Sequence, residues 1–196
     1  MKIKAQGLLN GATWILERHG EAALASVLSM AGSEVRERYM TAIAIEWHDA
    51  AELELFLKAA ESVLGGSEGA VAKRIGAAGA QRNMGGFLRR LGFYISRRDY
   101  ALARVASAWR QFNDAGEMVL GEFGPSSGTL EVRDAQPPGP LFCATLTGWC
   151  ETLGTHVGMD APSALHTRCV IRGHPVCQWR IRWSRRGTGG TKPDLR

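Results

Sequence analysis

The sequence predicts an α+β fold, with a helical N-terminal half followed by antiparallel hairpins and helices packed on one face. Three observations carry that prediction. Apolar residues recur at helical spacing as far as Phe112, as in amphipathic helices. From Glu117 the period drops to two, as in strands with one buried face. Near the C-terminus, Cys169 and Cys177 sit symmetrically about Gly173, as cross-strand partners do in a hairpin.

In chain order, residues 6–30 read as helix. Leu8, Leu9, Ala12, Ile15 and Leu16 share a stripe, a break falls at His19–Gly20, and Leu24, Val27 and Leu28 follow. Ser33 is placed to N-cap a helix running through Tyr39 to Ile45. Asp49 can cap another over 50–64, striped by Leu53, Phe56, Leu57, Ala60 and Leu64 and ended by Gly65-Gly66-Ser67. Residues 69–91 make a long helix whose small residues allow close packing, while Gly76, Gly79, Gly85 and Gly86 weaken it locally. Asp99 can cap a helix over 100–112, with Val105, Ala108, Trp109 and Phe112 on one face and a turn at 113–116. Strands at 117–123 and 129–132 flank the hairpin turn Gly124-Pro125-Ser126-Ser127-Gly128. A rigid connector (134–140, DAQPPGP) leads to a helix over 141–158 striped by Phe142, Leu146, Trp149 and Leu153. A hairpin over 167–183 closes a single domain spanning 1–183, and 184–196 is a basic tail.

Hydrophobic residues make up 45% and charged residues 22% of the 196, an ordinary globular composition with enough length to bury a core without disulfides. No run of about 18 apolar residues is present. The N-terminus lacks a signal-peptide h-region, so a cytoplasmic protein is expected. Much of the +5 net charge lies in Arg180, Arg182, Arg185, Arg186, Lys192 and Arg196. Without that end the body is only weakly basic, which argues against a dedicated nucleic-acid surface.

In a reducing cytosol, paired thiols are more often metal ligands or free thiols than disulfides. Strand alternation puts Thr167, Cys169 and Ile171, with Cys177, Trp179, Ile181 and Trp183, on one face of the hairpin, and Arg and Gln on the other. His166 lies just upstream of Cys169, and Cys143 lies on an earlier apolar segment. Cys143, His166, Cys169 and Cys177 make a Cys3His set that suits tetrahedral zinc. Such a site is closed to water and therefore structural, pinning the helix to the hairpin. Buried apolar filling and a Cys169–Cys177 disulfide are competing readings. His174 and Cys150 are competing ligands, although Cys150 is badly placed to share an ion with Cys143.

The stretch from Cys143 to Trp183 resembles the end of the 4-vinyl-reductase-type ligand-binding domain. That domain is related to the TRAPP (Bet3-like) Golgi transport subunits and to the sensor domains of phenol-responsive activators. The resemblance rests on Cys143-x4-Gly148-Trp149, on His166-x2-Cys169-x7-Cys177 around Gly173, and on the 26-residue step from Cys143 to Cys169. His166 stands where those sensors carry a glutamate. The N-terminal KIKAQGLLNGATWILERHG, the helix from Glu46-Trp47 to Leu64 and the closing WRIRW are similar to a myxobacterial paralogous family of stand-alone proteins.

The resemblance implies a Bet3-like fold of the NO-signalling and Golgi-transport type, a helical part (1–65), a 4-vinyl-reductase-like part (66–183) and a homodimer. It also implies a cavity between the central helices and the sheet. Met84, Phe87, Leu88, Phe93, Tyr94, Trp109, Phe112, Met118 and Leu120 would line it, an apolar surface for an aromatic or lipid-like ligand. Tyr94 and Trp109 would orient a polar ligand atom. An ordinary helical core explains the same stripe.

Other motifs carry no chemistry. Gly76-Ala77-Ala78-Gly79 is not a phosphate loop, because no Lys-Ser/Thr follows and no strand precedes it. Gly148 sits in no nucleophile elbow. Glu46, His48 and Asp49 around Trp47 read as a helix boundary as readily as an acid–base group. The functional expectation is a non-enzymatic sensor or adaptor for a small apolar or aromatic molecule, with structural zinc, acting through protein–protein contacts. A TRAPP-like scaffold without ligand, and an enzyme on an aromatic or tetrapyrrole-like substrate, are the alternatives.

Overall fold

The computed structural model describes the backbone over residues 1–90 and 109–184, with side chains over 1–83 and 109–184. The expected α+β class stands: helices fill the N-terminal half, and the strands after residue 116 form an antiparallel sheet. The elements are β1 (Lys2–Lys4), α1 (Gln6–Ala31), α2 (Ser33–Thr41), β2 (Trp47–Asp49), α3 (Ala50–Val63) and α4 (Ala70–Arg90). After a helical turn at 109–112 come β3 (Glu117–Phe123), β4 (Ser127–Arg133), α5 (Pro140–His156), β5 (Asp160–Arg168) and β6 (Cys177–Ser184). The expected cap at Asp99 lies outside the described residues.

In the N-terminal half, α1 breaks at Gly20 (φ 83°, ψ 175°), a conformation open essentially to glycine alone. Asp49 caps α3 as expected, its carboxylate accepting from the Ala51 N–H at 2.9 Å. In α2 the expectation fails at both ends. Gly32, not Ser33, holds the N-cap position, and the helix stops at Thr41 instead of reaching Ile45. Ala42 turns extended, and the following residues donate no further helical bonds. The carbonyls of Ala44 and Glu46 accept from Gln6 and Ala5 instead. That pairing delivers β2 to β1, with Ile3 opposite His48, and it leaves Met40, Ile43 and Ile45 exposed.

The main sheet has the order β3-β4-β6-β5. Alternation along β6 is as expected, with Cys177, Trp179, Ile181 and Trp183 buried. The first strand of the closing hairpin differs. It starts at Asp160 rather than 167, and beyond Cys169 the chain makes a 3-10 turn, Val170–Arg172. Arg172 and His174 both donate backbone N–H groups to the Cys169 carbonyl. Ile171, expected on the apolar face, is therefore exposed.

α5 is positioned from three sides. The buried Glu54 carboxylate of α3 accepts from the N–H groups of Leu141 (3.3 Å) and Phe142 (2.8 Å). It satisfies donors that a helix start leaves open and suits the positive end of the helix dipole. Along its length α5 meets α4 backbone to backbone. A methyl on Gly76 would run into the Thr145 carbonyl, and one on Gly148 into that of Lys73. Glu151 Oε1 accepts from both Lys73 Nζ and the Ala164 N–H, each at 2.9 Å, joining α5 to α4 and β5.

Candidate metal centre

Cys143 enters from the first turns of α5, just beyond the Glu54 cap. Cys177 opens β6, Cys169 follows the end of β5, and His166 stands on β5 itself. Register explains the meeting. Arg168 pairs with Gln178, so the next step places Cys169 opposite Cys177, while a β-bulge between His166 and Arg168 re-aims His166. One ligand atom from each of Cys143, His166, Cys169 and Cys177 lies within 4.8 Å of every other. The three cysteines are buried, and His166 stacks on Trp179, with centroids 4.4 Å apart and planes 9° from parallel.

The electrostatics are those of a shared thiol–thiolate set. The hydrogen bond from Cys143 draws the Cys177 thiol down, against desolvation, with help from His166 and the Val170 N–H, which donates to Cys177 Sγ at 3.4 Å. The same bond, with burial, drives Cys143 up. His166 Nε2 is buried without a hydrogen-bond partner, an uncommon state for a polar atom.

Both competing ligands fall outside the cluster. His174 folds back onto Cys169, its Nδ1 lying 3.2 Å from that residue's carbonyl oxygen. Cys150 is enclosed within the fold, and burial pushes its thiol up to about 12. All four cysteines are free thiols, so no Cys169–Cys177 disulfide is formed.

The cavity expected between helices and sheet lies among α1, α3, α4, α5 and the 109–118 segment, with a volume of about 120 Å³. Trp109, Phe112 and Met118 line it as expected, and Leu120 does not. Phe93 and Tyr94, and the side chains of Met84, Phe87 and Leu88, lie outside the described residues. The Trp109 indole N–H donates to the Ala115 carbonyl at 3.0 Å, so it is not left to orient a ligand. Asn10 and Asn83, which the sequence did not single out, face each other in the wall at 3.0 Å.

No family model and no curated protein matches the chain. Solved structures do. The Fe(II) unliganded H-NOX protein from K. algicida superposes with a TM-score of 0.71 at 10% identity, over 95% of this chain and 100% of that one. An H-NOX protein from S. oneidensis in the Fe(II)NO ligation state gives 0.67 at 12%, over 92% and 99%. A structure solved to probe haem distortion in the H-NOX family gives 0.66 at 11%, over 96% and 99%. At such identities the likeness is one of fold, and the fold is H-NOX-like.

This overturns the resemblance to 4-vinyl-reductase and TRAPP proteins and what it carried. The zinc-bearing apolar-ligand sensor, the TRAPP-like scaffold and the enzyme on an aromatic or tetrapyrrole-like substrate all give way, because the structures that share the fold are H-NOX proteins. Structural zinc as the cofactor is corrected with them, since the neighbours are described with Fe(II) and haem. The cysteine and glycine spacings that suggested the resemblance follow from a helix and a hairpin meeting at one point. They mark a geometry, not a family.

Proposed function

We propose that the chain is a sensor domain on an H-NOX-like scaffold, with the Cys143, His166, Cys169 and Cys177 cluster as its responsive, thiophilic metal site. The observation that carries the reading is convergence: three buried cysteines and one imidazole bring a ligand atom each to within 4.8 Å of every other. A cation at their centre takes all four as ligands and neutralises thiolate charge. Three soft sulfurs and an imidazole discriminate against Mg²⁺ and Ca²⁺. Metal entry displaces protons from the thiols, and the lowered Cys177 eases the first of those losses.

The sensor reading draws on the fold neighbours, one of which is an H-NOX protein in an Fe(II)NO ligation state. It draws also on placement. The cluster joins α5 to the β5–β6 hairpin, so filling or emptying it changes how the helix seats on the sheet, a two-state element of the kind switching requires. Haem, named with the neighbours, finds no imidazole or thiolate in the interhelical cavity, and no step is routed through it. Among the described residues no helix is long and apolar enough to cross a membrane. We place the protein in the cytoplasm, where reducing conditions keep four free thiols available.

The test is anaerobic titration of the reduced full chain with Co²⁺. Thiolate-to-cobalt charge-transfer absorption saturating at one equivalent is expected, lost in Cys177→Ser and kept in Cys150→Ser. Absence of that absorption, or its survival in Cys177→Ser, refutes the assignment.

A further inference from the structure

We infer that the interhelical cavity of this chain is closed to haem, so that its metal-ligating side chains gather at the end of the sheet and not in the cavity that the fold neighbours' haem chemistry would suggest. Three independent features converge on this.

The first is the donor set. Protein haem iron is held by imidazole, thiolate, thioether or phenolate. All five histidines and four cysteines of the chain are among the described residues, and none lines the cavity. His19 and His156 are exposed. His48 is buried against Glu52, beside β1. His174 folds onto the Cys169 backbone, Cys150 is buried in α5, and the remaining histidine and cysteines form the thiol cluster. Among the described residues, Met118 is the one sulfur in the wall and no tyrosine lines it; a methionine serves haem iron beside a histidine, which the wall lacks.

The second is charge. Haem carries two propionates, whose negative charges need cationic partners; the amides of the wall are already engaged, Asn10 with Asn83 and Asn113 with the Trp109 carbonyl. Among the described residues, Lys4 is the one charged side chain of the wall, and its ammonium is drawn over the Trp47 ring, 5.3 Å from the centroid.

The third is room. About 120 Å³ is well below the roughly 300–1,000 Å³ of ordinary ligand pockets. α4 and α5 meet at Gly76 and Gly148 with no space for a methyl group. A planar macrocycle would have to part those helices, and the Glu151 link to Lys73 and Ala164 opposes that.

The test is to express the full chain with a haem precursor and iron, and separately to titrate the purified protein with hemin, following the Soret band. Colourless protein and no Soret shift are expected. A complex abolished in the His19→Ala/His156→Ala/His174→Ala triple variant, which removes the three exposed imidazoles, is surface binding and also supports the inference. A stoichiometric complex that survives that triple variant overturns it. The thiol-cluster reading stands or falls separately, because the cobalt titration reports sulfur ligation whether or not haem binds.

Discussion

Trp179 supports His166 from beneath, ring against ring, and donates its own indole N–H to Thr147 Oγ1 on α5 at 2.9 Å. One fully buried side chain thus sets both the orientation of an imidazole in the cluster and the seat of the helix that supplies Cys143. Trp179→Phe keeps a ring under His166 and loses the hydrogen bond, an expected loss of about 1 kcal/mol. Trp179→Ala removes both and should lose about 3–5 kcal/mol. Urea denaturation measures each. Equal losses for the two variants would show that the N–H contact, not the ring, holds this region.

The Glu54 cap links the N-terminal half to the site. Glu54→Ala leaves the buried N–H groups of Leu141 and Phe142 without acceptors, an expected loss of about 1–3 kcal/mol. Glu54→Gln retains one acceptor oxygen and should lose less. Amide exchange at Phe142 reads the effect locally. Unchanged protection there in Glu54→Ala would place the cap elsewhere.

Two glycines of the α4–α5 pair make a matched contrast. Gly148→Ala drives a methyl into the Lys73 carbonyl and should lose about 1–3 kcal/mol through overpacking. At Gly79 the nearest atoms to an added Cβ belong to Asn10, at 3.8 Å. Gly79→Ala should therefore gain up to about 1 kcal/mol of helix propensity. Similar melting shifts for both variants would contradict the close approach.

Glu131 gives a pH signature. The Arg133 guanidinium, then the Gln178 amide, hold its carboxyl below the usual carboxylate range. A lowered folded-state value stabilises the protein above the unfolded value, near pH 4.3, and that stability is lost as pH falls through the folded value. The site is near the surface, so the effect is under about 1 kcal/mol. Stability of wild type relative to Glu131→Gln should fall between neutral pH and pH 3 (roughly the span over which such carboxyls titrate). A flat difference over that span would show that the pair contributes nothing.

The fold class and most boundaries were legible because they follow from local periodicity. Asp49 capped α3, Gly20 broke α1, and β6 alternated as written. The four-residue cluster was legible too, because hairpin symmetry about Gly173 is local and Cys143 begins the next helix upstream. What could not be read is set at long range. β1 and β2 exist only because residues 42–46 leave α2 to meet the N-terminus. Glu54 looks like a misplaced charge on an apolar stripe until α5 arrives. The family was misjudged because spacing among a few cysteines and glycines reports how two elements meet, while chain-wide topology decides the neighbours. That no histidine or cysteine lines the interhelical cavity is likewise a long-range fact, set by how the helices assemble.

The turn that closes the ligand hairpin is held by Gly173 at φ 83° and ψ 10°, with open space where a Cβ would stand. Handedness alone therefore resists a side chain here. L-alanine is strained at such a φ, whereas its mirror image adopts it freely. Cys169, four residues upstream, offers a junction for peptide ligation. A semisynthetic protein with D-alanine in place of Gly173 should outlast the natural one by about 0.4–1 kcal/mol, because its unfolded chain has fewer conformations to lose.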